Sequence, residues 1–69
     1  MQVIKLSDDF IKLGQAIKAA GLVESGVEAK IVIQNGEVKV NGVVETQRGK
    51  KLTGGEIISY NGEEVKIER

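Results

Sequence analysis

The chain is 69 residues long, which leaves room for one domain with a marginal core, because a chain of this size buries only about 60% of its unfolded surface. It has no Cys and no His, which excludes disulfides, thiolate and imidazole chemistry, and the best soft and borderline metal ligands. Ten basic residues balance ten acidic ones, which excludes a strong net attraction to polyanions, and the apolar runs are too short for an export signal or a membrane span.

In chain order, Met1–Leu6 is apolar-rich and predicts a strand. Ser7 reads as an N-cap, with Asp8 and Asp9 in a first helical turn where the macrodipole favours negative charge. Phe10, Leu13, Ile17 and Ala20 follow at helical spacing as one buried face, and Gly21 ends the helix as a C′ residue. Gly14 inside this helix costs about 1 kcal/mol relative to Ala, tolerable where another backbone packs closely. Ser25-Gly26-Val27-Glu28 has the spacing of a capping box, in which Ser25 and Glu28 satisfy each other's orphan backbone donors. Ala29, Val32 and Ile33 then face inward, and Asn35-Gly36 closes this second helix. Gly21–Glu24 is short enough to join the two helices in a compact corner.

The remainder is β. Val38 and Val40 alternate with polar residues at the period of a half-buried strand, and Asn41-Gly42 predicts a type I′ hairpin turn into Val43-Val44. Thr46–Lys51 is a polar, basic loop or strand end, and Thr53-Gly54-Gly55 is a turn. Glu56–Tyr60 predicts a strand, Asn61-Gly62 a second type I′ turn, and Glu63–Glu68 a last strand with Val65 and Ile67 inward. The expected fold class is α+β, in the order β-α-α-β-β-β-β, as a single domain over residues 1–69.

Little in the chain can carry catalysis. Ser25 lacks a base, and its capping role explains it fully. Glu63, Glu64 and Glu68 read as a solvated outer face, without the spacing of a calcium loop. No cofactor, no metal and no small-molecule substrate are expected. The basic charge is concentrated in the middle of the chain, where Lys39, Arg48, Lys50 and Lys51 face only Glu37 and Glu45, whereas the stretch from Glu56 onward is acidic. Taken alone, Arg48, Lys50 and Lys51 could be a solvated loop. Together with Lys30, Lys39 and the helix N-terminus at Ser25–Val27 they supply the cations and free N–H groups of a phosphate-tracking surface. Phe10 is expected in the core and Tyr60, the only other aromatic, at a strand end, so binding of single strands by stacked aromatics is not expected. Recognition of folded or double-helical RNA by shape and backbone needs no aromatic.

The stretch Gly21–Ile58 carries a spaced pattern: Gly-Leu-Val-Glu-Ser-Gly-Val-Glu-Ala-Lys, Ile33, Gly36-Glu37-Val38-Lys39-Val40-Asn41-Gly42, Lys51-Leu52 and Gly55-Glu56-Ile57-Ile58. It resembles the αL RNA-binding domain of small-subunit ribosomal protein four, found also in a tyrosyl-tRNA synthetase, in pseudouridine synthases and in a ribosome-binding heat-shock protein. The Leu-Val-Glu-Ser-Gly variant and the segment Glu45–Lys51 look most like its small stand-alone YbcJ/YaaA-like members. The resemblance implies two N-terminal helices packed on a small, strongly bent, mostly antiparallel sheet, with RNA over the helices and an adjacent loop. By position, Ser25 is the family's capping serine, Lys30 a basic position of the second helix, and Arg48, Lys50 and Lys51 the basic segment after the hairpin. The family often has Arg after the serine. Here Gly26 stands there, which removes a cation and leaves the helix N-terminus open to a phosphate.

The reading that follows is a non-catalytic, cytoplasmic, monomeric module that binds structured RNA (ribosomal, transfer or another folded RNA) through Lys30, Lys39, Arg48, Lys50, Lys51, Ser25 and Gly26. No membrane partner is expected. The alternative is a protein-interaction adaptor that keeps the fold and has little RNA affinity.

Overall fold

The computed structural model describes residues 1–69. The elements are β1 (Gln2–Lys5), β2 (Ile11–Lys12), α1 (Leu13–Ala19), α2 (Gly26–Gln34), β3 (Val38–Val40), β4 (Val43–Val44), β5 (Lys51–Leu52), β6 (Ile57–Tyr60) and β7 (Glu63–Glu68). Five strands form one sheet in the order β1-β7-β6-β3-β4, and β2 pairs with β5 in a separate two-stranded ribbon. Every pairing is antiparallel except β1 with β7, which run parallel with Gln2 opposite Val65 and Lys5 opposite Glu68. No helix is long and apolar enough to cross a membrane.

One apolar cluster holds the layers together. Leu13, Ala16 and Ile17 of α1 and Ala29, Val32 and Ile33 of α2 pack with Val38, Val40, Ile58, Val65 and Ile67 of the sheet and with Leu52 of β5. Each fully buried aliphatic side chain contributes about 1.5–3 kcal/mol relative to exposure. The period-two alternation along β3 and β7 sends these side chains to one face and Lys39 to the other.

The turn chemistry matches the sequence closely. Asn41 and Gly42 have φ of 53° and 81°, and Asn61 and Gly62 have 52° and 79°, the left-handed pairs that type I′ hairpins require. Asn41 has a further duty. Its Oδ1 accepts from the Ile57 N–H at 2.9 Å and its own N–H donates to the Ile57 carbonyl at 2.8 Å, which pins the hairpin to the start of β6.

The segment after β1 departs from expectation. Ser7 caps no helix, because residues 7–9 form a bend and α1 begins only at Leu13. The cause is tertiary. Ile11 and Lys12 pair with Leu52 and Lys51, so their backbone groups belong to a ladder rather than a helical turn. Phe10 is consequently not in the core; it stands 37% exposed beside the bend. The observed order therefore carries two extra short strands, β2 and β5, beside the expected elements.

Candidate nucleic-acid interface

Two helix starts organise the site. At α1, the first two N–H groups lack helical partners and are taken by the loop that follows the hairpin: Leu13 N–H donates to the Lys50 carbonyl at 2.8 Å and Gly14 N–H to the Arg48 carbonyl at 3.0 Å. The Lys12 N–H donates to Gln15 Oε1 at 3.1 Å. The close approach expected at Gly14 is thus real, and its partner is Arg48. A Cβ on Gly14 would lie 2.7 Å from Arg48 Cγ, so Gly at this position lets the arginine lie across the helix.

At α2, Ser25 Oγ accepts from the Glu28 N–H at 3.1 Å, as the capping motif predicts. The reciprocal half differs. Glu28 Oε1 accepts from the Glu24 N–H at 2.8 Å rather than from that of Ser25. Gly26 has open space where a side chain would be, so the first turn of α2 is accessible.

Between these helix starts runs an open groove of about 390 Å³ in which Lys12, Lys18 and Arg48 surround Gly26 and Gly49, with no acidic residue in its lining. Of the residues singled out in the sequence, Arg48 and Gly26 line this groove directly and Ser25 adjoins it. Lys51 lies opposite Lys12 across the β2–β5 ribbon, next to Lys50. Lys30 stands exposed one helical turn beyond Gly26 on α2 and does not line the groove. Lys39 projects from the sheet face opposite the buried valines and is not brought to it. Lys12 and Lys18, which sequence reasoning did not single out, supply two of the three cations. The signal available was Gly14, a costly helical glycine that marked where another segment crosses α1.

Two further features shape the electrostatics. Lys51 Nζ sits 4.8 Å above the Phe10 ring centroid, a cation–π contact beside the β2–β5 ribbon. Glu56 organises the turn that follows β5, its carboxylate accepting from the Thr53 N–H at 3.0 Å and the Gly54 N–H at 2.8 Å. Burial pushes its pKa up, but the amides of Thr53, Gly54 and Glu56 itself and the charge of Lys50 outweigh that and hold it below the usual carboxylate value.

Comparison with known proteins agrees with this architecture. Residues 4–68 match the family model of the S4 domain. YbcJ of Escherichia coli K12 is 40% identical over 57 residues, covering 83% of this chain and 81% of that one. RlbA of Bacillus subtilis 168, named for ribosome maturation, is 36% identical over 59 residues, 86% of this chain and 83% of that protein. The ribosomal large subunit pseudouridine synthase B of the same bacterium is 45% identical over 58 residues, only 22% of its own length. The solution structure of YbcJ, described as revealing an αL motif involved in RNA binding, superposes with a TM-score of 0.76 at 36% identity, over 100% of this chain and 89% of that one. With both its sequence and its fold matched over nearly the whole length, the chain belongs to the S4 domain family and carries its αL fold.

Proposed function

We propose that the protein binds structured RNA without catalysing a reaction on it, as a cytoplasmic monomer acting on ribosomal, transfer or another folded RNA. The observation that carries this reading is the groove itself: Lys12, Lys18 and Arg48 converge from separate segments on the accessible first turn of α2. Cations and helix N–H groups in one concave strip suit a phosphate backbone. Lys50 and Lys51 extend the positive surface along the ribbon, and Lys30 extends it along α2. The αL motif of YbcJ, described as involved in RNA binding, and the ribosome maturation name of RlbA support the same reading.

The test is a salt titration of binding to a hairpin RNA. Each neutralised phosphate contributes a log–log slope of roughly 0.7 to 0.9, so a groove with three cations predicts a slope of about two to three. The double variant Lys12→Ala/Lys18→Ala should weaken binding about equally across RNA sequences and flatten the slope by about 0.7 to 0.9 for each phosphate it no longer neutralises. Both lysines are exposed, so stability should change by less than about 0.5 kcal/mol. A wild-type affinity indifferent to salt, or a variant that binds like its parent, removes the phosphate-binding reading.

One observation favours the adaptor alternative. Val27 and Ile31, one turn apart on the outer side of α2, are 69% and 52% exposed. If salt does not affect RNA binding and substitution of these two residues by Ser abolishes association with a protein partner, the adaptor reading stands instead.

A further inference from the structure

We propose that the pocket beside Phe10 receives the base of a single unpaired nucleotide whose backbone lies in the basic groove. The inference rests on the RNA-binding reading above and adds a base-docking subsite to it.

The two concavities are continuous. The groove and the Phe10 pocket share Lys12 and Gln15 as common walls. The pocket is an open concavity of about 810 Å³, ample for one base. Their chemistry is divided. The groove is lined by Lys12, Lys18 and Arg48 and by no acid, whereas the pocket sets Asp8, Asp9 and Phe10 beside Lys12 and Arg69. Carboxylates repel a phosphate but accept from the exocyclic amino group of a base, so the sugar–phosphate strand belongs in the groove and the base in the pocket.

Phe10 is placed for that task. It is one of only two aromatic residues in the chain, and it stands outside the core beside the cationic strip. Lys51 holds its ammonium 4.8 Å from the ring centroid over one face, so a stacked base takes the opposite face. The pocket wall is also fixed. Arg69 Nη1 donates to the Asp9 carbonyl at 3.2 Å and to the Thr53 carbonyl at 2.7 Å, tying the bend to the turn after β5. That bond uses the backbone of Asp9, so the arginine does not consume its carboxylate.

The experiment compares two hairpin RNAs with the same stem, one fully paired and one with a single bulged cytosine. The wild-type protein should bind the bulged hairpin at least about fivefold more tightly, the lower end of what stacking one base on an aromatic contributes. The gain should vanish in Phe10→Leu, which keeps an apolar side chain but no ring, and persist in Phe10→Trp. A circular dichroism spectrum matching the parent shows that each variant is folded. Equal binding of both hairpins with a normal salt slope, or a gain that survives Phe10→Leu, overturns the subsite and leaves RNA binding standing. Failure to bind either hairpin at any salt overturns both.

Discussion

Replacing Gly14 with Ala tests how the basic loop is locked onto α1. The new Cβ would lie 2.7 Å from Arg48 Cγ, 3.4 Å from Cδ and 3.5 Å from the Arg48 carbonyl oxygen. Carbon atoms prefer a separation of about 3.5–4.0 Å, so Cγ must retreat by about 1 Å while the carbonyl can stay. Forcing a methyl group into an occupied site costs about 1–3 kcal/mol, and the lower end applies because Arg48 is exposed and can swing away. Against this, Ala in place of a helical Gly gains up to about 1 kcal/mol. The single variant should therefore be close to neutral in stability. In an Arg48→Ala background, where Cγ and Cδ are gone, the same change should stabilise by about 0.5–1 kcal/mol. The coupling of about 1 kcal/mol is measurable as a double-mutant cycle from urea and thermal unfolding followed by circular dichroism, and corresponds to about 4–8 °C in Tm for a domain of this size. Gly14→Ala should also weaken RNA binding with no change in charge, because it displaces the guanidinium from the groove. If Gly14→Ala has the same effect with and without the Arg48 side chain, the packing argument is wrong.

Two other outcomes follow from the local geometry. Ser25→Ala removes the acceptor for the Glu28 N–H and should cost about 1 kcal/mol, lowering Tm by about 4–8 °C, whereas Ser25→Asp should retain most of the stability; an unchanged Tm in Ser25→Ala would mean that the 3.1 Å hydrogen bond does not cap the helix. Glu56 has a lowered pKa in the folded protein, so it contributes stability that is present above its unfolded value of 4.5 and is lost as pH falls through its folded value. The stability difference between wild type and Glu56→Gln in urea should therefore be largest near neutral pH and shrink as the pH falls below 4.5, and a difference that does not vary with pH would contradict the role given to this carboxylate.

The parts of the fold that are legible in the sequence are those whose information lies within a few residues. Ser25 and Glu28 announce the start of α2, Gly21 and Gly36 the helix ends with φ of 75° and 78°, and Asn41-Gly42 and Asn61-Gly62 the hairpins. Ser7 carries an equally good local signal and is overruled, because Ile11 and Lys12 find their partners far along the chain at Leu52 and Lys51. The same reason hides the groove. Arg48 can be picked out from its basic neighbourhood, but Lys12 and Lys18 become its companions only when the loop folds back over Gly14. Phe10 reads as a core residue because its spacing fits a helix that does not extend that far, and the structure turns an expected packing residue into an accessible ring.

The parallel pairing of β1 with β7 sets the order in which the molecule can be assembled. The seventh strand to leave the ribosome is an interior one, lying between the first strand and β6. Until it arrives, β1 has no neighbour, and the helices lack Val65 and Ile67, both fully buried in the finished core. Closing so long a loop carries an entropic cost that local turns do not, and pairings of this kind slow folding. Before then the parts already made are helices of 7 and 9 residues and a short hairpin, each marginal in water without the strand that completes their core. The core therefore closes only once β7 is available, and a chain truncated before Val65 lacks the strand that joins β1 to the rest of the sheet.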